Sequence, residues 1–72
     1  MKKMNDLKLN EDGTIINVVA SFNIKRRLMD MGIIKGSVIR PVLINKYMRA
    51  YLVKGAVIGI RCIDTKDIEV EV

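Results

Sequence analysis

One cysteine, two tyrosines and a run of three cations are the residues of this 72-residue chain whose types could do chemistry. A thiol acts as a nucleophile when a base stands beside it. Cys62 has no such companion in the sequence, because the chain contains no histidine. Its ordinary role is that of a small, semi-buried apolar residue. A metal site needs several ligands converging on one point. The lone cysteine, and carboxylates that mostly stand next to lysines or on alternating strand faces, give no cluster at ligand spacing. Gly32 and Gly36 fit neither the G-x-G-x-x-G nor the GK[ST] phosphate loop. The sequence therefore predicts no catalysis, no metal site and no cofactor.

Binding is the chemistry that remains. The formal charge is +5 and the sequence pI about 9.7, which favours an acidic partner surface or anionic lipid. Lys25, Arg26 and Arg27 are consecutive, so on a helix they spread around the axis and read first as a solvated face. Small barrels that read nucleic acid stack bases on surface aromatics. Only Tyr47 and Tyr51 could do so here, so no nucleic-acid partner is expected. The polar loop 45–49 has no evident core role, yet it carries Lys46, Tyr47, Met48 and Arg49 in a row. Aromatics, Met and Arg are enriched in interface cores. Lys46, Tyr47, Met48, Arg49 and Tyr51 are accordingly the predicted partner-binding residues. Of the five methionines, Met31 reads as core, Met1 and Met4 as terminal residues, and Met29 and Met48 as interface candidates.

The elements that must position these residues follow from period and punctuation. Residues 14–19, TIINVV, are β-branched and predict a strand. Ser21 or Asn23 can cap a helix, in which Ile24, Leu28 and Met31 form one apolar stripe. Gly32 stands where a left-handed helix-ending residue is wanted, and Ile33 can fold back on the last turn. Residues 37–44 predict a strand with Pro41 at an edge or bulge. Short strands follow at 50–53 and 56–61, joined by a Lys54-Gly55 hairpin turn. A single helical turn is expected at 64–67, capped by Asp64, and an alternating strand at 68–72 with Ile68, Val70 and Val72 inward. Asp12-Gly13, Gly32, Gly36 and Gly55 mark the chain reversals. Short strands with frequent turns and one short helix predict a mainly β fold, a small barrel whose open end the helix plugs. Residues 1–72 are expected to form one domain. No signal-peptide core or membrane span is readable, so the chain is expected in the cytoplasm.

The stretch LMDMGIIKGSVI, residues 28–39, resembles the signature of the FeoA family of bacterial ferrous iron uptake. Leu28, Gly32, Ile33 and Gly36 match its helix-ending Leu-x-x-x-Gly-(aliphatic)-x-x-Gly. VKGAVIGIR at 53–61 matches its glycine turn and following strand. Asp64, Thr65, Ile68 and Val70 match the closing Asp-(small)-x-x-Ile-x-Val, and Leu7 and Gly13 fit as well. Cys62 and Ile63 depart from it, being apolar where the family usually carries charge. Thr65 stands for the common alanine, and Pro41 within a strand is unusual. The resemblance implies an SH3-like barrel and a non-catalytic accessory or regulatory role beside FeoB, the large membrane GTPase that imports Fe(II). It implies contact with the inner face of the plasma membrane only through that partner, and it is compatible with a homo-oligomer. The alternatives are a free-standing nucleic-acid-binding barrel and the C-terminal barrel of an iron-dependent repressor. The repressor reading would require DNA-binding and dimerisation domains that these 72 residues do not hold.

Overall fold

The computed structural model describes all 72 residues. Strands β1 (Lys2–Lys3), β2 (Gly13–Asn17), β3 (Val38–Ile44), β4 (Met48–Val53), β5 (Ala56–Arg61) and β6 (Glu69–Glu71) form one sheet. Its order is β1-β6-β2-β3-β4-β5, and every pairing is antiparallel. Helix α1 (Phe22–Asp30) lies between β2 and β3 in the chain, and 3-10 turns occupy Met4–Asp6 and Cys62–Asp64. The sheet curls into an SH3-like barrel around eleven buried apolar residues, among them Ile15, Leu28, Ile39, Val53, Ile60 and Val70.

The outermost strands β1 and β5 do not pair. Side chains bridge the seam instead. The Tyr51 hydroxyl on β4 donates to the Met4 carbonyl at 3.2 Å. Arg49 Nη1 donates to the Leu7 carbonyl at 2.7 Å. Asn5 Nδ2 donates to the Cys62 carbonyl at 2.8 Å, and its Oδ1 accepts from the Thr65 hydroxyl at 2.7 Å. Backbone acceptors in the first turn are thus satisfied by side chains rather than by a ladder. That matters because an unpaired buried polar group costs about 1–3 kcal/mol.

This seam corrects the reading of the first ten residues. Met4 is not a loose terminal residue. It and Leu7 are fully buried, and Leu7 sits beneath Gly13. Gly13 is also corrected: it opens β2 rather than forming a turn. A Cβ there would stand 2.9 Å from Leu7 Cδ1, so close packing selects glycine. The reversal comes earlier, where Asn10 has φ 64°; asparagine tolerates that region because its short polar side chain bonds locally.

α1 forms because Ser21 Oγ accepts from the Ile24 N–H at 3.4 Å and because its inner stripe is apolar. Leu28 is buried, with Ile24 and Met31 packed beside the core. The helix ends in a Schellman arrangement. The Gly32 N–H donates to the Met29 carbonyl at 3.0 Å and the Ile33 N–H to the Leu28 carbonyl at 2.9 Å. Gly32 has φ 89°, and Ile33 is buried. A Cβ in that conformation costs about 1–2 kcal/mol, and each kcal/mol moves the melting temperature of a domain this size by roughly 4–8 °C. Gly32→Val should therefore lower the melting temperature by roughly 4–16 °C in differential scanning calorimetry. An unchanged transition would contradict this cap.

Several boundaries differ from expectation, β2 ending at Asn17 rather than residue 19 and β3 opening at Val38 rather than residue 37. β4 begins at Met48 rather than residue 50, because β3 and β4 continue their ladder to the pair Ile44 and Arg49. The helical turn lies at Cys62–Asp64 rather than 64–67. Asp64 is not its cap; its carboxylate accepts from Arg61 Nε at 3.0 Å. Ile68 and Val70 are buried, but Val72 lies beyond β6 and is exposed.

Candidate partner-binding surface

Asn45 shapes the tip of the β3–β4 hairpin. Its Oδ1 accepts from the Tyr47 N–H at 3.0 Å and from the Met48 N–H at 2.8 Å. Its own N–H donates to the Met48 carbonyl at 2.9 Å. Asparagine is suited to this turn because its side chain imitates a backbone carbonyl. The Cys62 N–H then donates to the Tyr47 carbonyl at 2.8 Å, tethering the tip to the 3-10 turn after β5. The tip is therefore held by four hydrogen bonds before any partner arrives.

That frame presents apolar surface to water. Tyr47 is 71% exposed and Leu43 56%, and Val42, Ile44 and Met48 are exposed beside them. The register of β3 against β4 slips between Pro41 and Leu43. Strict alternation would turn every second residue of VLI inward; the bulge instead leaves all three exposed. The Lys46 ammonium lies 5.5 Å from the centroid of the Tyr47 ring, within the range of a cation–π contact. Exposed apolar residues gathered at one hairpin end are candidates for an interaction site.

Of the five predicted binding residues, Lys46, Tyr47 and Met48 meet at this tip. Arg49 and Tyr51 are corrected. Both point inward from β4, since Tyr51 and Val53 alternate with the outward Ala50 and Leu52. Arg49 is half-buried, its guanidinium on the Leu7 carbonyl. Tyr51 is fully buried, and burial pushes its hydroxyl above the usual tyrosine pKa, with the bond from Arg49 opposing the shift. The residues missed were Val42, Leu43 and Ile44. Pro41 was the available signal, since a proline inside a paired strand announces a bulge.

Elsewhere the surface offers little to a reaction. A groove of about 250 Å3 runs between α1 and β5, lined by Leu28, Met31, Gly59 and Ile60 and bordered by Met48 of the tip. Its one carboxylate, Asp64, is engaged by Arg61. No three His, Cys, Asp or Glu side chains converge. Glu11 and Asp12 are held below the usual carboxylate range: Glu11 by the Lys8 N–H and by Lys2, and Asp12 by the Arg40 guanidinium. These are surface fastenings of the first turn and of β3.

A curled six-stranded sheet with one capping helix defines the class, a small SH3-like barrel. The chain belongs to the FeoA family: the model of the FeoA domain matches residues 2–72. It is thereby one of the proteins of ferrous iron transport, in a family of non-catalytic accessory domains. Solved structures that resemble it include the following two. A FeoA-like protein from Clostridium acetobutylicum superposes with a TM-score of 0.83 at 28% identity, over 100% of this chain and 90% of that one. The FeoA protein from Chlorobium tepidum gives 0.88 at 21% identity, over 99% of this chain and 70% of that one, and shows the shared fold. No curated protein sequence matches the chain.

Proposed function

We propose that this chain is an accessory subunit that binds the cytoplasmic part of a FeoB-like transporter through the β3–β4 tip. The exposed, preformed apolar surface of Leu43, Ile44, Tyr47 and Met48 carries the reading. A backbone frame already fixed by hydrogen bonds lowers the ordering cost that binding must meet. Lys46 and the charge of +5 favour an acidic receptor and act chiefly on the association rate. The same partner would hold the chain at the inner face of the plasma membrane. With Tyr51 buried, the barrel lacks the paired surface tyrosines on which a base-stacking platform would rest.

The Leu43→Asp, Tyr47→Ala double variant tests this proposal. Both side chains point to solvent, so the circular dichroism spectrum should match the parent's. Co-purification with the transporter from solubilised membranes should fall at least tenfold, about 1.4 kcal/mol or more. A folded variant that co-purifies like the parent would show that the tip is not the interface.

A further inference from the structure

α1 has a second stripe that folding does not use. Phe22, Lys25, Arg26 and Met29 stand at i, i+3, i+4 and i+7, which places them on one side of the helix. That side is opposite the inner stripe of Ile24, Leu28 and Met31. The outer face of a surface helix is ordinarily polar. Here Phe22 is 75% exposed and Met29 55%, and the two frame a shallow depression lined also by Lys25, Arg26 and, at its C-terminal edge, Asp30, two cations against one carboxylate. Neither cation forms an ion pair within the chain. Beside the helix start, exposed Val19 and Ile63 line a second shallow groove with Lys66, Asp64 and Asp67, so apolar surface continues there but without an excess of cations.

We infer that this outer face of α1 docks on an anionic lipid bilayer, with the helix lying in the interfacial plane. Apolar side chains enter the boundary between headgroups and acyl chains, while the stems of Lys25 and Arg26 lie along that boundary and their heads reach lipid phosphates. The charge of the whole chain points the same way. A protein receptor for this face would need its own acidic, apolar patch; an anionic membrane supplies both chemistries everywhere. The tip at residues 45–47 is a different surface, so lipid contact does not depend on the transporter and can be measured without it.

The test is sedimentation with large unilamellar vesicles of phosphatidylcholine, with and without one quarter phosphatidylglycerol. The parent should bind the anionic vesicles and release from them as salt rises, because screening weakens the headgroup contacts. Phe22→Ala, Met29→Ala should lower the partition coefficient at least tenfold, and so should Lys25→Glu, Arg26→Glu. Tyr47→Ala should bind as the parent does. The chain has no tryptophan, so Phe22→Trp gives a single reporter whose emission should shift to the blue on anionic vesicles. Absence of binding to anionic vesicles would overturn the proposal. So would a Phe22→Ala, Met29→Ala variant that binds like the parent, or dissociation of a dimer by that variant without any change in lipid binding. Equal loss from Tyr47→Ala would also overturn it, by placing lipid contact at the tip.

Discussion

Tyr51→Ala should remove a large share of the chain's stability. Tyr51 is among the largest fully buried side chains, and removing a buried aromatic ring costs about 3–5 kcal/mol. A domain of this length has a total stability of only about 4–11 kcal/mol at typical per-residue values. Tyr51→Phe separates packing from the hydroxyl. It keeps the ring and removes the hydroxyl, with its bond to the Met4 carbonyl and the long 3.5 Å bond it accepts from Arg49, a loss of about 0.5–1.5 kcal/mol for a typical bond. Urea titration followed by circular dichroism reads both. The hydroxyl also imposes a pH dependence. Its folded pKa lies above the unfolded value of about 10, so the native state holds this proton more tightly. That contribution is fully present below about pH 10 and is lost as pH rises through the folded value. Parent stability should fall in that range, and Tyr51→Phe should lack this component of the fall. A Tyr51→Ala midpoint within a few tenths molar urea of the parent would contradict the seam described above.

Gly13→Val should be the next most damaging change. An added Cβ meets Leu7 Cδ1 at 2.9 Å, Leu7 Cδ2 at 3.0 Å and Val70 Cβ at 3.4 Å. Leu7 is itself fully buried and its carbonyl is held by Arg49, so it has little room to yield. Overpacking of this kind costs about 1–3 kcal/mol, and the β-branch of valine adds two methyl groups to the collision. The melting temperature should drop by roughly 4–24 °C. Gly13 does not have a positive φ, so Gly13→Ala, with one added carbon, should fall between parent and Gly13→Val. Equal stability of all three would mean that the first turn does not pack as described.

These two sites mark where sequence reasoning reached its limit. α1, its cap and its glycine stop were legible because each is a local signal: a 3.6-residue period, a serine before it, a glycine after it. The Lys54-Gly55 turn was legible for the same reason, and both residues have positive φ. The seam was not legible. Met4 and Leu7 are apolar residues in a polar stretch with no period, and their burial depends on partners more than forty residues away. Spacing along the chain cannot report such contacts. The tip was half legible. Tyr47 and Met48 stood out by residue type, but whether Arg49 and Tyr51 join them depends on which way β4 alternates. That direction is set by the register with β3 and its bulge. Because the register puts Tyr51 opposite Pro41 on the inner face, one of the two tyrosines predicted to bind became a pillar of the core.

The central claim is that the β3–β4 tip, and no other surface, meets the transporter. Titrating isotopically labelled protein with the intact transporter in nanodiscs, and following amide line broadening by NMR, tests it most directly. To remove the lipid contribution, the nanodiscs should contain only zwitterionic lipid. The account predicts that amides of residues 42–48 broaden first, with Cys62 following because its N–H is bonded to the Tyr47 carbonyl. The α1 and β5 residues of the groove that Met48 borders should stay sharp. Broadening centred on Arg27, Met31 and Gly59, with the tip unaffected, would contradict it.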